Sequence, residues 1–315
     1  MSKTSLHIVN RKTLANDLNT LGISQSEDVI TWQETLCVGP TIEEVGSNDF
    51  LEIRANFFKS FYNIELNTNE ITNELLKLEN SSKYSEIILW FDYNLFCHIN
   101  IVAIIALLSQ KKIFSPISLV CSGRVEGQKD LKGLDQLTPM QLQSLFDKRV
   151  PLNLDDIALA TNVWKIYCGN DHNLLLPLIT RQSSFSYLSN CLKAHIKRFP
   201  DVRSGLSTLD YNILKLVKDN TITSRYHLMG YALHYQGYYG YKELQLKRII
   251  DILSLFFNDT NSSITLNRKG HLALEHLHNY QNELDNNICY GGICSLDYMF
   301  DKSQNKLIKT IINAP

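Results

Sequence analysis

The chain has 315 residues, of which 44% are hydrophobic and 20% are charged, and its formal net charge is −1. This balance is typical of a folded globular protein and excludes a disordered chain, and the length fits two domains better than one core. Residues 1–150 hold 14 basic and 18 acidic side chains, whereas residues 151–315 hold 17 and 14. Neither half has the basic excess that is expected of a dedicated nucleic-acid binder.

The N-terminal part alternates between strand and helix patterns. Strands are predicted at 5–9, 29–32, 87–91 and 117–121, and helices at 12–21, 49–62, 69–79 and 95–108. The third strand, IILWF, contains no polar residue, as expected of a strand that is covered on both faces. This alternation predicts a parallel sheet with right-handed crossovers. The fold class is therefore α/β, with a Rossmann-like domain over residues 1–150.

Beyond residue 150 the pattern becomes mostly helical. Helices are predicted at 155–168, 173–179, 185–199, 205–216, 241–257 and 270–280, and short strands in the tail 289–312. Ser207 is a good N-cap for the fourth of these helices. We expect a helical connector over residues 151–204, followed by a winged-helix-like domain with a C-terminal β hairpin over residues 205–315.

The composition also bears on the cellular compartment. The first residues lack the apolar run of a signal peptide, and the most apolar stretch, 99–108, is about half the length that spans a bilayer. The seven cysteines are scattered without a paired spacing, so free thiols are expected even where Cys289 and Cys294 approach across a hairpin. These features predict a cytoplasmic protein without a membrane contact.

Polar residues follow the ends of the first and third predicted strands. In a sheet of order 2-1-3-4 the strand order reverses between these two strands, and open parallel sheets bind ligands at such a position. The residues expected to converge there are Asn10, Arg11, Lys12, Glu34, Asp92, Tyr93, Asn94 and His98. Arg11 and Lys12 at a helix N-terminus suit a phosphate or carboxylate. Asp92 is the candidate catalytic residue, as a general base or as a group that orients a hydroxyl or a metal. The first hypothesis is therefore a site for a small anionic ligand, a nucleotide or a sugar phosphate.

The same residues also have purely structural interpretations. Asn10 and Asn94 are good N-cap residues, adjacent basic residues commonly face solvent, and His98 suits a packed position on its helix. The chain has no glycine-rich phosphate loop, and the histidines within 271–278 lack the spacing of a helical metal pair. No metal site is predicted, the cofactor is unknown, and enzyme and binding protein both remain open.

Several short motifs together resemble a known family. They are His7-Ile8-Val9-Asn10, Trp32-Gln33-Glu34 with Gly39-Pro40, and the run from Leu89 to Phe96. Through them residues 5–125 resemble the uncharacterised bacterial family called domain of unknown function 1835. A second set of motifs resembles the domain that usually follows this family at its C-terminus. These motifs are Phe199-Pro200, Arg203, Gly205-Leu206-Ser207 and Tyr290-Gly291-Gly292. The resemblance implies no activity, and the chain departs from the family where Arg11-Lys12 stands in place of Gly-Asp.

Residues 264–271, ITLNRKGH, resemble the wing strand and following helix of winged-helix regulators. The helix before them then corresponds to the recognition helix, with candidate DNA contacts at Lys242, Lys247 and Arg248. Acidic residues on the same helix fit a protein partner better than DNA. The second hypothesis is thus a ligand-sensing regulator whose winged-helix region contacts DNA or protein. The third is an interaction module, or homo-oligomer, that uses the tyrosine-rich segment 226–241.

Overall fold

The computed structural model describes residues 4–260 and 262–310. The strands are β1 (Ser5–Val9), β2 (Val29–Thr31), β3 (Gly39–Pro40), β4 (Glu86–Phe91), β5 (Ile117–Cys121), β6 (Val150–Pro151), β7 (Phe257–Asp259), β8 (Ile264–Leu266), β9 (Cys289–Gly291), β10 (Ile293–Cys294), β11 (Tyr298–Asp301) and β12 (Lys306–Lys309). The helices are α1 (Lys12–Thr20), α2 (Asn48–Tyr62), α3 (Thr68–Leu76), α4 (Leu95–Gln110), α5 (Pro139–Asp147), α6 (Leu154–Cys168), α7 (Leu188–Ile196), α8 (Thr208–Asp219), α9 (Arg225–Tyr235), α10 (Glu243–Ile252), α11 (Arg268–Leu274) and α12 (Gln281–Leu284). The fold is therefore mixed α/β, as predicted.

A five-stranded sheet forms the N-terminal part. Its order is β2-β1-β4-β5-β6, and the first four strands are parallel, which confirms the predicted order of the four sequence-derived strands. β4 lies in the middle, and Ile87 to Phe91 are all buried, because helices cover both faces of the sheet. The short strand β6 is antiparallel to β5 and closes one edge, which the sequence did not predict.

Helix α4 is the central helix of the molecule. Every residue from Leu95 to Leu108 is buried, and the helix contacts α6 and α7 as well as β4. A helix that is apolar on all sides gains stability only when packing surrounds it, since each buried leucine or isoleucine contributes roughly 1.5–3 kcal/mol of transfer free energy. Residues beyond 150 supply that packing, so the sheet and the helical region share one apolar core.

Two buried arginines hold the loop that follows β2. Arg54 of α2 donates hydrogen bonds to the carbonyl oxygens of Thr35, Val38 and Pro40 at 2.8–3.0 Å. Arg198, which follows α7, donates to the carbonyl oxygen of Cys37. These bonds supply side-chain donors to loop carbonyls, and the Thr35 oxygen also accepts from the N–H of Val38 at 3.3 Å. The loop is thereby fixed by residues from two distant parts of the chain.

The C-terminal tail pairs with this same loop. β3 and β9 are parallel, with Gly39 opposite Tyr290, so the tail adds to a small sheet of order β10-β9-β3. Cys289 and Cys294 stand opposite each other in β9 and β10 and are joined in a disulfide, whereas free thiols were expected there. The antiparallel register brings the two side chains to the same side of the ladder, which is why they meet.

The helical region differs from prediction in its detail. The helix expected over 241–257 is α10 followed by a 3₁₀ turn, and the one expected over 270–280 ends after Leu274. A left-handed residue, His276 with φ 56°, stops the latter. Helices α5 and α9 were not predicted, and residues 311–312 of the predicted tail lie outside the described residues. Within the described part, no helix is both long and apolar enough to cross a membrane.

Candidate functional site

Asp92 and Asn10 meet at the carboxyl edge of the sheet, as the sequence predicts. Asp92 follows β4 and accepts hydrogen bonds from the side chains of Asn10 at 3.0 Å and Ser122 at 3.1 Å, and from the main-chain N–H of Leu134 at 2.7 Å. Arg11 forms an ion pair with the same carboxylate. One of its terminal nitrogens, Nη2, lies 3.1 Å from one carboxylate oxygen and 3.2 Å from the other. The carboxylate therefore has donors for both oxygens, and its residue is 9% exposed.

Arg11 links this carboxylate to a covering loop. Its other terminal nitrogen lies 3.0 Å from Asp135, which belongs to the loop between β5 and α5. The loop thus closes over the position where the strand order reverses. The thiol of Cys97, 3.8 Å away, is a fifth donor to the carboxylate of Asp92. A carboxylate held by five protein donors stabilises this arrangement, but it has little free capacity to take a proton from a substrate.

The beginning of α4 is also covered. Asn94 caps the helix by accepting from the N–H of Cys97 at 3.0 Å. The free N–H groups of Leu95 and Phe96 donate to the carbonyl oxygens of Tyr238 and Tyr239, at 2.7 and 3.1 Å. The helix end therefore offers these donors to the protein itself and not to an anion. Tyr93 points to the same loop, with its ring 6.1 Å from that of Tyr238.

His98 lies in the first turn of α4 and is 1% exposed. Its Nδ1 is 3.0 Å from the carbonyl oxygen of Asn94, so Nδ1 carries the hydrogen and donates it. Nε2 is buried and has no hydrogen-bond partner among the described residues. Burial lowers the pKa of this ring to about 4. His98 is a neutral packing residue at neutral pH.

Lys12 and Glu34 lie on a separate cleft at the end of β2, which we call the β2 cleft. It has a volume of about 180 Å³ and is formed by the first residue of α1, the segment 31–34 after β2, and α3. Glu70 and Glu74 of α3 complete its polar lining; Lys12 is 2.5 Å from Glu70, and Glu74 accepts from the N–H of Thr31 at 2.8 Å. Three carboxyl groups and one ammonium group thus line the β2 cleft.

Glu34 is the unusual member of this lining. It is 8% exposed, and its carboxylate accepts no hydrogen bond from any residue of the described ranges. Burial raises the pKa of this carboxyl, and the charge of nearby Arg54 opposes part of that rise. Asn100 holds the loop in place, since its amide donates to the carbonyl oxygen of Glu34 at 2.8 Å and accepts from Trp32 at 3.0 Å. An unpaired buried carboxyl in a cleft is typical of a functional group.

The three predicted DNA-contacting residues, at the N-cap of α10 and within it, do not share one open surface. Arg248 stacks on Phe61 of α2, with 3.8 Å from the guanidinium carbon to the ring centre, and Lys242 lies 5.1 Å above Phe96. Lys247 is exposed and pairs with Asp251 at 3.4 Å. Two of the three cations therefore contact the N-terminal part of the chain instead of an open helix face.

The tyrosine-rich segment is only partly on the surface. Tyr226 is 87% exposed and Tyr235 57% exposed, whereas Tyr239 and Tyr241 are buried. In residues 4–260 and 262–310, no group of three or more histidine, cysteine or acidic side chains is placed to hold a metal ion.

Sequence reasoning missed two parts of this region. Ser122, Leu134 and Asp135 reach Asp92 and Arg11 from a loop with no strong pattern, so nothing in the sequence marks them. Glu70 and Glu74 lie on one face of α3 because they are four residues apart. This i, i+4 spacing is the sequence signal from which a shared site could have been predicted.

A scan of protein-family models finds none that matches the chain, and a search of curated proteins finds no match either. The class of protein therefore rests on the fold: a mixed α/β protein with a mostly parallel sheet, whose carboxyl edge carries both the Asp92 cluster and the β2 cleft.

Proposed function

We propose that the chain binds a small ligand at the carboxyl edge of its Rossmann-like sheet, in the β2 cleft, and that Glu34 is the group that recognises it. The observation that carries the proposal is a carboxyl that is 8% exposed and lacks a hydrogen-bond donor among the described residues. Burial disfavours the ionised form of this carboxyl and raises its pKa, and no donor of the described chain offsets that effect. Its oxygens are open to the cleft, so a ligand that donates a hydrogen bond there would stabilise the ionised form.

The size and charge of the β2 cleft define the ligand further. A volume of about 180 Å³ is close to the engineered cavities of roughly 150 Å³ that hold a benzene-sized molecule. A nucleotide is too large for the enclosed part. Lys12 pairs with Glu70 and Lys77 pairs with Glu74, so within the described chain Glu34 is the carboxyl of this lining without an ion-pair partner. This unpaired carboxyl favours a ligand that presents an amino group and disfavours a phosphate. This replaces the anionic ligand expected at Asn10 and Asp92, where the donors and acceptors already pair with each other.

The test compares Glu34→Gln with Glu52→Gln, a matched change at an exposed residue of α2. A thermal-shift panel of small amines and amino acids, with nucleotides, sugar phosphates and coenzyme A alongside, identifies a ligand by the rise in stability, about 2.7 kcal/mol at one hundred times its Kd. We expect an amino compound to stabilise the protein and the Glu52→Gln variant, and to bind Glu34→Gln at least tenfold more weakly.

A second readout needs no ligand. Because the folded protein raises the pKa of Glu34, its contribution is favourable at low pH and is lost as pH rises through the folded-state pKa. Glu34→Gln should therefore stabilise the protein more at pH 7.5 than at pH 4. Unchanged ligand affinity in Glu34→Gln, or stabilisation by phosphate compounds alone, would contradict the proposal.

The second candidate function is that of a regulator with a winged-helix region. It is supported by the element order α8, α9, α10, β7, β8, in which Ile222 pairs with Ile264 beside the hairpin. Since Arg248 and Lys242 stack on phenylalanines of the N-terminal part, a protein contact suits this region better than DNA. Binding of a random DNA duplex whose affinity falls steeply with salt, and is weakened by Lys247→Gln, would favour the DNA version instead.

The resemblance to the family called domain of unknown function 1835 adds no chemistry to either candidate. The amino-acid motifs that carry it include Glu34 and Asp92, so both residues belong to the region of resemblance.

A further inference from the structure

A second, larger depression lies in the C-terminal half of the chain. Its walls are the segment 197–208 up to the start of α8, the residue His276 after α11, and the turn 301–305 between β11 and β12. Its volume is about 910 Å³, within the range of roughly 300–1,000 Å³ that small-molecule sites occupy. None of the residues that line the β2 cleft lines this depression.

Three cationic side chains stand around it without a carboxylate partner. Lys197, Arg203 and Lys302 are exposed, and within residues 4–260 and 262–310 none of their side chains forms an ion pair or a hydrogen bond. Unpaired cations on a concave wall attract an anion, because the low-dielectric wall focuses their field.

The two acidic residues of the same walls are engaged elsewhere. Asp301 accepts hydrogen bonds from the main chain and side chains of Ser303 and Gln304, at 2.6–3.3 Å, and these bonds lower the pKa of its carboxyl. Asp201 accepts from the main-chain N–H of Arg203 at 2.9 Å, and the same oxygen lies 3.9 Å from Nδ1 of His276. Neither carboxylate pairs with one of the three cations, which therefore remain available.

A flat aromatic surface forms another part of the wall. The rings of Tyr211 and His276 stack with centroids 5.5 Å apart and an angle of 8° between their planes. His276 adopts φ 56°, and its buried Nδ1 forms no hydrogen bond in the described part of the chain, since the carboxylate oxygen of Asp201 is 3.9 Å away, beyond hydrogen-bond distance. A strained backbone and an unsatisfied ring nitrogen at one residue both cost stability, and such costs concentrate at binding sites.

We infer that this depression binds a phosphate-bearing small molecule. The phosphate lies among Lys197, Arg203 and Lys302, because a forked guanidinium and two ammonium groups supply charge-assisted hydrogen bonds to its oxygens. The organic part extends along the Tyr211–His276 pair, for which the volume leaves room.

The test is calorimetric titration of the full chain with inorganic phosphate and with phenyl phosphate at constant ionic strength. We expect phenyl phosphate to bind more tightly than inorganic phosphate, and Arg203→Gln and Lys302→Gln each to weaken both at least tenfold. Arg181→Gln changes an exposed arginine outside the depression and should leave both affinities unchanged. Tyr211→Leu should weaken phenyl phosphate alone.

Two results would overturn the inference. One is the absence of binding of either compound to the unmodified chain. The other is an affinity that Arg203→Gln and Lys302→Gln leave unchanged, or that Arg181→Gln lowers equally, since binding would then reflect net charge and not this depression. All the charged residues concerned are on the surface, so the variants are expected to fold.

Discussion

Replacing His98 by leucine should change how the stability of the protein depends on pH. The ring is buried in α4, its Nδ1 hydrogen goes to the carbonyl oxygen of Asn94, and Nε2 has no partner in the described structure. Protonation of Nε2 would place a charge in an apolar site with no acceptor, which is why the pKa falls to about 4. Leucine fills a similar volume, and the Asn94 oxygen keeps the main-chain N–H of residue 98 as its donor.

The magnitude follows from linkage between protonation and folding. The unfolded chain, with a pKa near 6.5 for this group, binds more protons than the folded chain between pH 6.5 and pH 4. Stability is therefore lost as pH falls through this interval. Between pH 7.5 and pH 5.0 the loss from one such histidine is about 2 kcal/mol, since each pKa unit corresponds to about 1.4 kcal/mol.

The assay is urea unfolding of the protein and of His98→Leu at both pH values. The difference in free energy of unfolding between variant and parent should rise by about 2 kcal/mol from pH 7.5 to pH 5.0, while other titrating groups cancel. His271→Leu, the same substitution at an exposed position of α11, should show no such rise. A rise below about 0.5 kcal/mol in His98→Leu, or an equal rise in the control, would refute the reasoning.

Three further substitutions test the fold by the same measurement of unfolding in urea. Asp92→Asn removes the ion pair with the loop-bridging arginine and should cost about 3 kcal/mol, whereas Asp135→Asn, at a side chain that is 59% exposed, should cost less than about 1 kcal/mol. Arg54→Leu removes three hydrogen bonds to carbonyl oxygens of the loop after β2, of which the Thr35 oxygen keeps the N–H of Val38 as a donor, and should cost about 4 kcal/mol. A loss below about 1 kcal/mol would contradict the proposed role of Arg54 in holding this loop. Gly291→Ala should cost well over 2 kcal/mol because its Cβ would overlap main-chain atoms at the end of α6, while Gly22→Ala, at the same φ of 68° with open space around it, should cost about 1 kcal/mol. Equal costs for the two glycines would refute the overlap.

The sheet was largely predictable because its signals are local. The apolar run of β4 and the β-branched residues of β1 and β5 each lie within five or six residues, and their parallel order follows from the intervening helices. Helix α5 was missed although its signal is present: Thr138 caps it, and Oε1 of Gln141 accepts from the main-chain N–H of Thr138 at 2.9 Å. Helix α9 also has an N-cap, Ser224, which accepts from the N–H of His227 at 3.1 Å, but it has no capping box, and its tyrosines and histidines are spread around its faces.

The candidate site was predictable only in part. The meeting of Asn10 with Asp92 follows from β1 and β4 being adjacent parallel strands that end at the same edge. The structural role of the Asn10–Asp92 contact could not be predicted from the sequence. The loop that carries Asp135 and the turn that covers the start of α4 come from segments with no periodic pattern. Glu34 was named among the candidates, but its lack of a donor is visible only once its neighbours are in place.

By itself the sequence determined the α/β class, the four parallel strands and their order, and the caps of α4 and α8, since each depends on residues within one turn or one strand. Tertiary structure alone decided which polar groups remain free. Asp92 and Arg11 satisfy each other, whereas Glu34 and the cations around the C-terminal depression do not find partners in the described chain. The physical reason is that a hydrogen bond or ion pair forms only within a few ångströms, and such proximity between distant segments arises from packing and not from local pattern.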